Sequence, residues 1–414
     1  MPIPSHRLPK PGGYGEHRRQ SGFRAIRACI RGQLAPLSNF PCPNGEQLLP
    51  AQTMCLPANC VIIGQAILSL PLTISPQGGL PVSYKVLVTD YAWPNLDIER
   101  SVLAKIGAEL VVPTHGGSQD ELAALAPDVD AILVNWNGCT AKVIAAAAKC
   151  VNITRYGVGV DNIDIDEATK RGIIVCNVPD YCMDEVSNEA MAFLLAGARR
   201  QMLYNDAIRA KVWGVKVGMP FPRLRGLTLG IIGFGRIGKA VAPKALPFGL
   251  RILVYDPYID QKEITDRGCI PASFETLLKE SDFITLHVPL TPETNGMINE
   301  KALRMMKPTA WLINTSRGPV VDTKALYKVM KEGHLAGAGL DVLPQEPPDW
   351  NDPIFTLPNI TFTPHSAFYS EGSLAELLEK ASTRVVEALS GQVPKFVVNG
   401  EVLKQPNLRL KVKK

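Results

Sequence analysis

From Tyr84 onward the chain alternates between two hydrophobic periods. Short apolar runs, "YKVLVTD" from 84, "AELVVP" from 108, "AILVNW" from 131 and "GIIVCNVPD" from 172, have the length and β-branched content of buried strands. Between them, "LDIERSVLAKIGA", "QDELAALAPD" and "TAKVIAAAAKC" carry apolar residues at helical spacing. "VNITRYGVG" reads as a further strand running into a glycine loop. Such alternation predicts parallel strands joined by crossover helices.

A longer amphipathic helix is predicted over "MDEVSNEAMAFLLAGARRQ" (183–201), with acids in its first turn and arginines in its last, as the helix dipole favours. A second alternating series runs from "RGLTLGII" to "ITFTPH". The helix of "SLAELLEKASTRVVEALSG", closed by Gly391, follows and is expected to return to the first series. The fold class is therefore α/β, with two doubly wound parallel sheets and the chain crossing between them near 183 and again near 367.

The first 81 residues break this pattern. They are rich in Pro, Gly and Arg and hold no sustained period. The run "VIIGQAILSLPLTI" (61–74) is too short to span a membrane and is interrupted by Pro71. Three readings stay open for this leader: a disordered extension, an arginine-rich targeting peptide, or upstream sequence read from a start set too early, the last being favoured. Seven basic residues against Glu16 and Glu46 in 1–46 account for the whole net charge of +5, so the rest of the chain is neutral. A neutral body offers no electrostatic footprint for nucleic acid, and "LKVKK" at the end reads as a solvated tail. The nine cysteines form no CxxC pair and no cluster at zinc spacing, which suits reduced thiols in the cytoplasm.

The chemistry begins at Gly233-x-Gly235-x-x-Gly238, between the strand "LTLGII" and a helix. A second strand, "RILVYD", ends about 20 residues later in Asp256. That spacing belongs to a dinucleotide site: the glycines let the backbone approach a pyrophosphate, and the helix N-terminus meets its charge. Asp256 is placed to accept from both adenosine ribose hydroxyls, and its charge repels a 2′-phosphate, which favours NAD over NADP. Three later strands end in chemistry. "LINTSRG" delivers Arg317, suited to pair bidentately with a carboxylate or to a surface ion pair. "AGAGLDVLPQEPP" leads to Asp341 and Glu346, and "NITFTPH" ends at His365. Glu346 is either a solvated turn acid or the partner that orients an imidazole and raises its pKa. The acids of "DNIDIDEATKRG" (161–172) read as the opening of a short helix closed by Gly172, in preference to a metal site. No metal is expected.

The order Gly-x-Gly-x-x-Gly, Asp256, "NTSRG", "DVLPQEP" and "TPH" resembles the D-isomer-specific 2-hydroxyacid dehydrogenase family over about 82–400. In "YDPY" (255–258), "VCNVP" (175–179) and "PHSAFYSE" (364–371) it is most similar to the C-terminal-binding-protein branch. The resemblance implies an NAD-binding Rossmann-like domain (184–366) inserted into a flavodoxin-like substrate domain (82–183 and 367–400), with 401–414 as a tail. It implies that Arg317 binds and polarises a small 2-oxo acid, that Glu346 supports His365, and that His365 donates the proton. It implies Gly233, Gly235, Arg236, Ile237, Gly238, Asp256, His287, Pro289, Thr294, Thr315, Ser316, Asp341 and Ala367 along the cofactor. Arg155 and the amides around Val158 and Gly159 would hold the substrate carboxylate, and Phe368, where that branch has Trp, would wall the substrate. A homodimer through the helix at 184–201 is implied as well. Two alternatives accompany this reading: an NAD(H)-sensing corepressor-like adaptor that acts by partner binding, and a D-3-phosphoglycerate dehydrogenase, against which the loop "PDYCMDEVSNEA" counts.

Overall fold

The computed structural model describes residues 84–412, so the leader and its three readings lie outside the described residues. Five strands form the first sheet: β1 (Lys85–Val88), β2 (Glu109–Val111), β3 (Ala131–Val134), β4 (Asn152–Arg155) and β5 (Ile174–Cys176). All pairs are parallel and the order is β2-β1-β3-β4-β5. Helices α1 (Asp97–Leu103), α2 (Gln119–Leu125), α3 (Ala141–Ala146) and α4 (Ile165–Lys170) connect them. Every residue of β3, β4 and β5 is buried. Helices on both faces explain why β3 and β5 read as unbroken apolar runs without alternation, while β4 buries the polar Asn152, Thr154 and Arg155.

α5 (Met183–Ala198) then carries the chain onward. The helix expected through residue 201 instead ends at Ala198, and Arg200 turns left-handed at φ 52° before α6 (Gln201–Arg209) begins. The break seats the helix end on Trp311: a Cβ on Gly197 would lie 2.6 Å from the indole, and the Arg200 guanidinium lies 5.6 Å from the ring centroid.

The second sheet contains β6 (Thr228–Ile232), β7 (Arg251–Tyr255), β8 (Ile270–Pro271), β9 (Phe283–Leu286), β10 (Trp311–Asn314), β11 (Gly337–Leu340) and β12 (Ile360–Phe362). It is parallel throughout, in the order β12-β11-β10-β9-β6-β7-β8. Its connecting helices are α7 (Arg236–Ala245), α8 (Gln261–Thr265), α9 (Phe274–Glu280), α10 (Glu300–Met305) and α11 (Thr323–Lys331). The last helix, α12 (Glu371–Leu389), opens on a reciprocal cap in which Ser370 and Ser373 each accept the other's backbone N–H. It returns to the first sheet as expected, placing Leu377, Ala381 and Val385 against Val86, Val88 and Leu133.

Part of the tail expected over 401–414 is seated on the first lobe, while Lys411 and Val412 of the "LKVKK" end are exposed. Val402 and Leu410 are buried against Ile174 and Cys176. Arg409 donates to the carbonyls of Ala147, Ala148 and Cys150. A guanidinium that satisfies three carbonyl groups at the end of α3 gives this segment a fixed seat that its composition does not announce.

In both sheets the strand order reverses once, at β1/β3 and at β6/β9. The crevice at the carboxyl ends of such switch points is where open α/β sheets bind ligands. Trp311 sets the packing behind the second crevice, since a Cβ on Gly337 would stand 1.9 Å from its indole. Gly337→Ala is expected to cost about 1–3 kcal/mol, read as a lower urea midpoint, and Trp311→Leu in the same chain should recover part of that loss.

Candidate active site

The carboxyl ends of both sheets line one cavity of about 800 Å³. At the end of β10 the buried Asn314 side chain builds the turn. Its Oδ1 accepts from the backbone and hydroxyl of Ser316, and its Nδ2 donates to the Arg317 carbonyl. Gly318 then passes so close to the backbone of Leu343 that a Cβ would lie 2.0 Å from it. This brings the arginine strand end against the segment that carries Glu346. The Arg317 guanidinium lines the cavity, with Nη1 on the Ser316 carbonyl and Nε on Asp161 at 3.0 Å.

β11 leads into Asp341, and β12 returns beside it. Asp341 Oδ1 accepts from Thr363 Oγ1 (2.6 Å), Ser366 N (2.8 Å) and Ala367 N (3.1 Å), while its carbonyl accepts His365 N at 2.7 Å. Those bonds hold His365 in the left-handed region, at φ 52°. His365 Nδ1 lies 2.6 Å from Glu346 Oε2, and Glu346 Oε1 accepts from Leu343 N. A carboxylate only accepts, so Nδ1 carries the proton in this pair and Nε2 is left for the cavity. Burial alone would raise the Glu346 carboxyl. The hydrogen bond and charge of His365 outweigh it and hold the group below the usual carboxylate range.

The glycine loop has the backbone that a dinucleotide needs. Gly233 is left-handed at φ 88° with its Cα against the His287 carbonyl, and a Cβ on Gly238 would lie 2.2 Å from the Gly233 oxygen. Gly235, by contrast, faces open space, and with Arg236 and Ile237 it lines the cavity at the uncapped start of α7. Asp256 braces this loop by accepting from Phe234 N at 2.7 Å and from Tyr258 N at 2.9 Å. Each oxygen keeps a second lone pair free of these bonds. Thr315 Oγ1 and His287 Nδ1 are buried in residues of the cavity wall with no protein partner, which fits a polar ligand here. Burial pushes the His287 imidazole down to about 3, so it is neutral at physiological pH. Pro289, Ser316 and Ala367 also line the cavity. Thr294 turns inward instead, donating to the Pro289 carbonyl within its own loop.

From the first sheet come Arg155, Val158, Gly159 and, beyond the return crossing, Phe368. Arg155 is buried, donates to the Val134 and Tyr156 carbonyls, and leaves Nε without a partner. Burial lowers its pKa to about 10, which still leaves it cationic. Three further contributors complete the site. Trp136 stands edge-on to His365 at 5.0 Å. Asp90 holds the Trp136 loop by accepting from the backbones of Trp136 and Asn137. Asp161 pairs with Arg317. The first two follow the carboxyl ends of β3 and β1, so the strand-end rule that selects Arg317 would have selected them too.

Residues 191–367 match the D-isomer specific 2-hydroxyacid dehydrogenase NAD binding domain. A glyoxylate reductase of Korarchaeum cryptofilum is 46% identical over 267 residues, 64% of this chain and 80% of that relative. The chain belongs to the D-isomer specific 2-hydroxyacid dehydrogenase family. Among solved structures, a D-lactate dehydrogenase from Aquifex aeolicus complexed with NAD and lactic acid is 31% identical with a TM-score of 0.67, covering 77% of this chain and 97% of that one. A glyoxylate reductase from Paecilomyes thermophila is 26% identical with a TM-score of 0.70, covering 77% and 99%. Like its family, this dehydrogenase is an NAD-dependent oxidoreductase of the CH–OH group, working between 2-hydroxy and 2-oxo acids.

The depressed Glu346 carboxyl links the dehydrogenase's stability to pH. With its folded pKa below the unfolded value of about 4.3, the unfolded state binds more protons, so the contribution is full above that value and is lost as pH falls through the folded pKa. Urea midpoints measured between pH 6 and pH 3 should fall less steeply for Glu346→Gln than for the wild type.

Proposed function

We propose that this dehydrogenase is a reductase of small 2-oxo acids, with glyoxylate as the leading substrate, and that His365, Glu346 and Arg317 carry the chemistry. The observation that carries this reading is the His365–Glu346 pair at 2.6 Å on a cavity shared with Arg317 and the Gly157 to Gly159 turn. NADH, when bound, supplies the hydride to the carbonyl carbon. His365, its Nδ1 proton held by Glu346, delivers the Nε2 proton to the carbonyl oxygen. Arg317 polarises that oxygen and offsets the charge developing on it. Arg155 and the backbone at Val158 and Gly159 take the carboxylate. Gly233, Gly235, Arg236, Ile237, Gly238, Asp256, His287, Pro289, Thr294, Thr315, Ser316, Asp341 and Ala367 serve the cofactor directly or through its loops. In the reverse direction neutral His365 is the base.

Support for glyoxylate comes from the relatives so named and from the crowding of Trp136 and Phe368 about His365, at 5.0 and 6.3 Å. The domain assignment follows: 184–366 holds the cofactor, and 82–183 with 367–400 holds the substrate. A homodimer is our reading of the exposed apolar side chains from α6 onward, Ile208, Trp213, Val215 and Met219. A reducing cytoplasmic setting suits the five buried free cysteines among the described residues. Among those residues no helix is long and apolar enough to cross a membrane. The adaptor reading, from the C-terminal-binding-protein-like "YDPY" and "PHSAFYSE", is the second choice, and it requires NADH binding without turnover.

NADH oxidation with glyoxylate, hydroxypyruvate, pyruvate and phenylpyruvate separates the two readings. We expect turnover, greatest with glyoxylate. His365→Ala should lower kcat by about 10²- to 10⁴-fold while NADH still binds. Wild-type protein that binds NADH and reduces none of the four would overturn the reductase reading.

A further inference from the structure

Asp161 opens the acid-rich stretch whose remaining acids serve α4. Asp164 caps that helix by accepting from Glu167 N, and Asp166 and Glu167 lie in its first turn. Asp161 has a different partner. Its Oδ1 accepts from Arg317 Nε at 3.0 Å, across 156 residues of sequence and from the first sheet's lobe to the second's.

Arg317 offers three donor nitrogens. Nε is committed to Asp161 and Nη1 to the Ser316 carbonyl. Nη2 lies over Gly159, so near that a Cβ there would be 1.6 Å from it and 2.7 Å from Asp161 Oδ1. A glycine at 159 is thus the condition for this approach, and Asp161, two residues on, fixes its direction. With two of the three nitrogens tied, the guanidinium plane cannot rotate, and one edge is presented to the cavity. The Asp161 carboxyl is ionised for this task. Burial works to raise it, but the charge and hydrogen bond of Arg317 hold it below the usual range.

We propose that Asp161 is a positioning residue for the reaction: it fixes the Arg317 guanidinium so that Nη2, above Gly159, meets the 2-oxo acid. The pair spans the two lobes, so the substrate-binding edge of Arg317 is aimed only where the first lobe stands against the second. This rests on the reductase reading and extends it to the residue that aims the arginine.

The test uses the full chain, with NADH and glyoxylate, after wild-type turnover is established. Without wild-type turnover the reductase reading itself fails, whereas turnover leaves the present inference to the variants. Asp161→Ala should lower kcat/KM about ten- to a hundredfold, the effect of a misaimed contact, with NADH affinity and melting temperature near wild type. Asp161→Asn keeps an oxygen that accepts from Nε, so it should recover most of the loss. In an Arg317→Ala background, Asp161→Ala should add nearly nothing. The inference is overturned if Asp161→Ala stays within twofold of wild type, if Asn is as defective as Ala, or if the loss is the same without Arg317. Asp161→Ser, too short to reach Nε, replaces Ala with the same outcomes if the Ala variant does not fold.

Discussion

One buried carboxylate ties the site together. Asp341 Oδ1 accepts three hydrogen bonds from the 363–367 turn, and the Asp341 carbonyl accepts a fourth from His365 N. The turn it holds is not one the chain adopts freely, since a left-handed non-glycine residue costs roughly 1–2 kcal/mol. Burial raises the Asp341 carboxyl and the donors of the turn pull it back, so fold and protonation state depend on the same few contacts. Without this knot the end of β12 would have no reason to aim an imidazole at Glu346.

The remaining parts are strand ends brought to the same place by parallel topology. β10 supplies Arg317, β11 supplies Asp341 and the loop to Glu346, β12 supplies His365, and β4 supplies Arg155 and its glycine turn. Parallel strands put all their carboxyl ends on one edge, so a site of many short segments needs no long loop. Glycines set the clearances: Gly318 under Leu343, Gly159 under Arg317 and Gly238 against Gly233. The first two mark places where two strand ends come closer than a side chain would permit, and the third lets α7 start tight against the end of β6.

Much of this was legible in the sequence because it rests on local patterns. Unbroken apolar runs mark strands covered on both faces, and Gly233, Gly235 and Gly238 at fixed spacing mark the first turn of a dinucleotide fold. Contacts between residues distant in sequence left no such trace. Asp161 read as one of several helix-opening acids because its partner is 156 residues away. Trp136 read as the end of an apolar strand, since nothing local tells of the imidazole beside it. The helix expected to run through residue 201 breaks at the left-handed Arg200, whose guanidinium lies over the distant Trp311. Residues 401–412 looked like a tail because their anchors, the carbonyls of Ala147, Ala148 and Cys150, are more than 250 positions upstream.

The central claim is that the carbonyl of a 2-oxo acid is held in one orientation between His365, Arg317 and the cofactor. The configuration of the product tests that most directly. Hydroxypyruvate reduced with NADH and analysed by chiral chromatography should give D-glycerate alone. A racemic product, or the L isomer, would contradict a carbonyl clamped in the orientation proposed.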